Sequence, residues 1–266
     1  MVGSNYIIKN KSFNVFGIKG GLFMFLLVLV VSFGTIAQTH KGKVLHVKNR
    51  KNTNTQVRVK LYIQGYYRKH GEMLPALYNQ GKKTDIHVTD TIQVIVHANR
   101  YPYKVLESCQ AILTVNGYAK CHFKRVKRSG YISIRSRNAL ETWSSHPVNM
   151  NRTSVLFDFT TNSEKAFGQN MIEAEKGVWA FFSGDINQDG FIDEYDYSIL
   201  EKAIKDYAFG WVRTDVNGDG NVDLLDRNII DEGFIYKNKR PGDTSKDMEI
   251  LDQHPNKRMH VKRPMR

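Results

Sequence analysis

The sequence predicts a mostly β chain, an antiparallel β-sandwich followed by a small helical pair. Three observations carry that expectation. Short alternating apolar segments recur from about Lys43 to Phe182, a 30-residue repeat begins at Asp185, and the acidic residues gather in that repeat. The chain has 266 residues, enough for one or two domains, and 41% hydrophobic residues, enough to bury a core. The formal net charge of +13 suggests a nucleic-acid partner until it is divided along the chain. Residues 185–232 hold 13 acidic and 4 basic side chains, so the basic excess lies elsewhere. Spread among strands, that excess reads as solvated outer faces, and no nucleic-acid partner is expected.

The first element is a leader. Lys9, Lys11 and Lys19 precede the apolar run Leu22–Phe33, which is short for a membrane span. Small residues follow, and cleavage is expected after Ala37, giving a secreted or cell-surface protein with no span in the mature chain; a retained N-terminal anchor is the alternative. No Cys directly follows the run, which argues against a lipoprotein.

The sandwich, residues 38–182, comes next. Alternation marks strands at Val57–Ile63, Thr91–His97, Tyr131–Arg135, Ser154–Phe159 and Val178–Phe182. Asn116-Gly117 marks a hairpin. A three-residue loop there pairs Leu113 with Ala119, Ala111 with Cys121 and Cys109 with Phe123, placing all six on one apolar face. The two cysteines are then diagonal, about 7–8 Å apart. A disulfide would be strained in that position, which favours two buried free thiols. No catalytic constellation appears: the His residues lack metal spacing, and there is neither a nucleophile elbow nor a phosphate loop. Glu141 beside Trp143 reads as an exposed acid next to a core aromatic.

The repeat spans 183–236. Its first copy runs from Asp185 to Asp196 and its second from Asp215 to Asp226. A twelve-residue calcium loop needs oxygens at positions 1, 3, 5, 7, 9 and 12, with Gly at position 6. The first copy supplies Asp185, Asn187, Asp189, the Phe191 carbonyl, Asp193 and Asp196, with Gly190 at the turn. The second supplies Asp215, Asn217, Asp219, the Asn221 carbonyl, Asp223 and Asp226, with Gly220. Neither loop offers His or Cys, so a hard cation is favoured over a transition metal, and two Ca2+ ions are expected. Ile192 and Val222, at position 8, are placed to pair the loops through a short strand. Beyond the ligands, Tyr195, Ile199, Leu200, Ala203 and Ile204 map onto Leu225, Ile229, Ile230, Gly233 and Phe234, an apolar helical face in each copy. Gly177–Gly184 reads as strand and turn, so no helix enters the first loop.

Paired loops with exiting helices only, and Asp at position 12, resemble a type I dockerin, a pair of F-hand calcium motifs, over about 183–235. The resemblance implies a non-catalytic module that folds on calcium and docks a cohesin domain. Many dockerins carry small hydroxyl residues at positions 10 and 11, where this chain has Glu194-Tyr195 and Leu224-Leu225. That difference leaves open a cohesin-like or other surface protein, or the chain's own sandwich, as what the module docks. Leu61–Tyr67, Met73–Gln80, Thr89–Ile92, Arg137–Trp143 and Ala166–Met171 resemble C-terminal regions of secreted bacterial hemagglutinin-like and adhesin-like proteins. There an Ig-like sandwich precedes a dockerin-like pair. A polysaccharide-binding accessory role is the alternative function, with Tyr66, Tyr67 and Tyr101 as gripping aromatics. Residues 237–266 form a polar, basic segment with three prolines and no apolar period, expected to be disordered.

Overall fold

The computed structural model describes residues 54–233, 236–237 and 239–243. The expected leader and its cleavage point lie outside the described residues, as does Phe234.

In chain order the strands are β1 (Thr55–Lys60), β2 (Val88–Ala98), β3 (Val105–Thr114), β4 (Tyr118–Phe123), β5 (Gly130–Arg135), β6 (Thr142–Trp143), β7 (Ser154–Asp158), β8 (Ile172–Glu175), β9 (Val178–Ala180), β10 (Phe191–Ile192) and β11 (Tyr236–Lys237). The helices are α1 (Ala76–Asn79), α2 (Glu194–Lys205) and α3 (Leu224–Gly233). One sheet has the order β4-β1-β7 and the other β3-β2-β5-β6. Each inner face follows the sequence alternation: in β4, Ala119, Cys121 and Phe123 are buried and their neighbours exposed. Between the sheets lie Val57, Val59, Val94, Val96, Ile132, Ile134, Phe157 and Phe159. Fully burying one such side chain stabilises the fold by roughly 1.5–3 kcal/mol, and this face-to-face packing makes the two sheets a sandwich.

Three expectations are corrected. The sandwich is mixed rather than purely antiparallel, because β1 pairs with β7 in parallel, Val57 opposite Val155. The long chain between them makes room for the crossover that a parallel pair needs. The Asn116-Gly117 turn forms, but its arms join different sheets: Cys109 pairs with Val94 and Cys121 with Val57. The side chains of β3 and β4 therefore meet across the core, and Cys109 and Cys121 form a disulfide with a Cα–Cα separation of 6.0 Å. Free thiols were expected only because both arms were assigned to one sheet. Trp143 is a core residue as expected, but Glu141 is buried too, paired with Arg135 at 3.0 Å.

A second hydrophobic cluster sits beyond β9. Ile186, Ile192, Leu200, Val216, Val222 and Ile230 pack with Leu140 and Phe182. Ile172 touches both clusters, so the two cores are contiguous. In the basic segment, Lys239 donates to the Gly168 carbonyl at 3.3 Å, and Pro241 is buried.

Candidate metal centre

Each repeat copy opens a helix. Asp193 caps α2, accepting the Tyr195 N–H at 2.9 Å, while Asp196 accepts the Asp193 N–H at 3.1 Å. Such a reciprocal box satisfies donors that a helix start otherwise leaves unpaired. Asp223 and Asp226 repeat it at the start of α3, with bonds of 2.7 and 2.9 Å from the Leu225 and Asp223 N–H groups. The sharp bend of each loop falls at Gly190 (φ 90°) and Gly220 (φ 97°), a conformation that side chains resist.

The loops share their wiring. Asp196 Oδ1 accepts the N–H groups of Ile186 and Asn187 at 2.8 and 3.0 Å. Asp226 Oδ1 accepts those of Val216 and Asn217 at 2.7 and 2.9 Å. Asn187 Oδ1 accepts from Asp189, as Asn217 Oδ1 does from Asp219, both at 2.8 Å. Asp185 Oδ2 accepts the Gly190 N–H at 3.2 Å, and Asp215 Oδ2 the Gly220 N–H at 2.9 Å. All ten expected side-chain ligands therefore line the two loops, with Phe191 and Asn221 between them.

Burial pushes the Asp185 carboxyl up to about 7, helped by the charges of Asp196 and Asp189. Burial likewise raises Asp226 to about 7, with Asp215 adding to the effect. Asp196 and Asp215 are raised by the same cause. Asp185 Oδ1 is buried with no hydrogen-bond partner. An unpartnered buried carboxylate oxygen among other acids is costly unless a cation meets it. Among the described residues, no three His, Cys, Asp or Glu side chains form a cluster that could hold a metal ion alone. The carboxylates are distributed around the loops on backbone N–H groups. A bound cation would thus draw on a mixed oxygen set, completed by Asn amides and backbone carbonyls, which is the donor chemistry of calcium.

Position 8 does not join the loops. Ile192 pairs with Tyr236 in β10–β11, and Asn221 bridges to Phe209. Ile192 and Val222 still meet in the core of the module. The repeat's apolar faces are also only partly covered: Leu200 and Ile230 are buried, but Tyr195 is 72% and Leu225 56% exposed. Leu224 is exposed beside Leu225.

Sequence reasoning missed the residues that seat the second loop on the sandwich. Gln80 Nε2 donates to Asp215 Oδ2 at 2.6 Å, and Asn79 Nδ2 donates to the Gly218 carbonyl at 2.9 Å. Asn138 Nδ2 donates to the carbonyls of Asp215 and Arg213 at 3.0 and 3.1 Å. Arg137 spans the seam, paired with Asp90 at 3.1 Å and donating to the Val212 carbonyl at 2.9 Å. A Cβ on Gly65 would stand 2.1 Å from the Val216 carbonyl oxygen, so the two backbones meet directly. A glycine, three amides and an arginine spread along the sandwich carry no local pattern that would reveal them.

The gripping aromatics do not form one surface. Tyr66 is fully buried and bonds to Asp90 and Asn138, Tyr67 donates to Glu175, and only Tyr101 stands out in solvent.

The architecture is thus a β-sandwich carrying a two-loop, two-helix module. Residues 183–235 match the Dockerin type I domain family, and the chain carries a dockerin-type domain near its C-terminus. Solved structures that resemble it include two type II cohesin–X-dockerin complexes from Acetivibrio cellulolyticus. A C-terminal interface mutant is 18% identical, with 68% of this chain and 95% of that chain covered and a TM-score of 0.42. An N-terminal interface mutant is 16% identical, with 70% and 96% covered and a TM-score of 0.41. No curated protein matches.

Proposed function

We propose that the chain is a non-catalytic interaction protein. Its dockerin-type half folds on two Ca2+ ions and presents an apolar, repeat-related surface to a cohesin-like domain. The two ions would be held by Asp185, Asn187, Asp189, Asp193 and Asp196 with the Phe191 carbonyl, and by Asp215, Asn217, Asp219, Asp223 and Asp226 with the Asn221 carbonyl. Calcium supplies charge compensation for the buried acids, and these residues supply the oxygens.

The observation that carries the partner reading is the exposure of Tyr195 and Leu225, equivalent positions of the two copies, on a surface that packing leaves open. Apolar residues exposed at equivalent positions of both copies support a docking role for the module. The leader expected from the sequence and the Cys109–Cys121 disulfide support a place outside the cytoplasm. The boundaries that fit this reading are 1–37 for the leader, 38–182 for the sandwich, 183–236 for the module and 237–266 for the basic segment.

The test is titration of a panel of cohesin domains against the chain, in calcium and in chelator. Calcium-dependent binding to a member, lost in Tyr195→Asp/Leu225→Asp, is the expected result. Binding that survives both chelation and the double substitution sinks the reading.

A further inference from the structure

Gln80 separates the two loops. It closes α1, its side chain is almost wholly enclosed, and its Nε2 donates to Asp215 Oδ2 at 2.6 Å. The other amide atom, Oε1, is buried without a partner. Half of a buried amide left unsatisfied is unfavourable, so the contact that holds this side chain is its bond to the carboxylate. The Asp215 oxygen it grips also takes the Gly220 N–H, while Oδ1 takes the Gly218 N–H at 2.8 Å. Asn79 fixes the Gly218 carbonyl, and Asn138, its own Oδ1 held by the Tyr66 hydroxyl at 3.2 Å, fixes the Asp215 carbonyl. Asp215 is thereby oriented from outside the repeat, through its carboxylate and its backbone.

Asp185, its counterpart, has a different setting. Its Oδ2 takes the Gly190 N–H, the backbone N–H of Gln188 also favours its charge, no side chain from the sandwich donates to its carboxylate, and its carbonyl accepts from the Gln188 side chain at 2.6 Å.

We infer that Gln80 is a positioning residue of the second metal loop, so that the sandwich sets calcium affinity at the Asp215 loop and has no such grip on the first carboxylate of the Asp185 loop. This rests on the calcium reading above. Groups that orient a metal ligand from behind typically change affinity by about 10–100-fold when removed. The two sites are therefore unequal, although their ligand residue types match.

The experiment is calorimetric calcium titration of the full chain in two backgrounds. Asp185→Ala leaves the second loop to report alone, and Asp215→Ala leaves the first. Gln80→Met, which keeps the volume and removes the donor, is added to each. In the Asp185→Ala background it weakens the remaining site by about tenfold or more. In the Asp215→Ala background the remaining affinity stays unchanged. An unchanged second loop overturns the inference, and so does an equal loss in both backgrounds, which would mark general loosening. If Gln80→Met fails to fold by circular dichroism, Asn79→Ala replaces it, with the same loop-selective loss required. If the unaltered chain binds no calcium, the calcium reading itself falls and takes this inference with it; calcium binding without a Gln80 effect removes the inference alone.

Discussion

The Asp185 and Asp215 loops are one chemical unit written twice and placed in two environments. Most of their hydrogen bonds correspond, from the helix-capping Asp to the Gly N–H under the first carboxylate. The first loop is met by β11, a short strand from the chain that follows α3. The second is pressed onto the sandwich by Gln80, Asn79, Asn138 and the bare backbone at Gly65. Ligand spacing alone therefore does not make two metal loops equivalent. Affinity also depends on how firmly the oxygens are held before the ion arrives, and that is a property of the neighbours.

The comparison can be broken at the seam. Arg137 is largely buried between Asp90, the Tyr66 hydroxyl and the Val212 carbonyl. Arg137→Ala leaves Asp90 buried without its cation, and removing one partner of such a pair costs about 3–5 kcal/mol. Denaturant unfolding measures it, and a loss below about 1 kcal/mol would show the seam to be loose.

Next in size, taken per site, is the stabilisation by calcium. At a free concentration 100 times the dissociation constant each site contributes about 2.7 kcal/mol. Melting curves in calcium and in chelator should differ strongly for the unaltered chain. Each single variant, Asp185→Ala or Asp215→Ala, should lose part of the shift, and the double variant all of it. Equal losses at limiting calcium would argue that the loops are alike after all.

A backbone probe comes third. Gly65→Ala forces a methyl onto the Val216 carbonyl, whereas Gly81 has open space around a Cβ despite its positive φ. Overpacking of this kind costs about 1–3 kcal/mol. Chemical denaturation should find Gly65→Ala worse than Gly81→Ala, and only the former should weaken the second loop.

The last test is a pH dependence that the loops should share. Asp185 and Asp226 have folded-state values raised to about 7, above that of an unfolded aspartate. Without calcium, the native state then keeps protons that the unfolded chain has released, so stability falls as pH rises from about 4 to about 7. Calcium requires the ionised form, so its affinity rises over the same window and binding releases protons. Calorimetry in buffers of different ionisation enthalpy would detect them. No proton release at pH 6 would contradict the buried-acid account.

The strands and loops were legible where a residue's role depends on near neighbours. Alternation at Ser154–Phe159 located β7, and the Asp-Asn-Asp-Gly spacing located both loops, because their hydrogen bonds close within about a dozen residues. The pairing of Cys109 with Cys121 was not legible. Local pattern revealed the turn between them but not that its arms enter different sheets. The exposure of Tyr195 and Leu225 was likewise hidden: helical spacing places them on an apolar face, but whether anything covers that face is decided by packing.

By itself, the sequence determined the donor set: which oxygens each loop offers, the glycine that bends it, and the Asp that closes it onto a helix. Those are short-range matters, governed by backbone sterics and by hydrogen bonds between residues a few positions apart. Only the tertiary structure decided which of the two loops is braced. Gln80 and Asp215 are 135 positions apart, and no local pattern encodes a contact that exists only because the folded sandwich and the module bury their surfaces against each other.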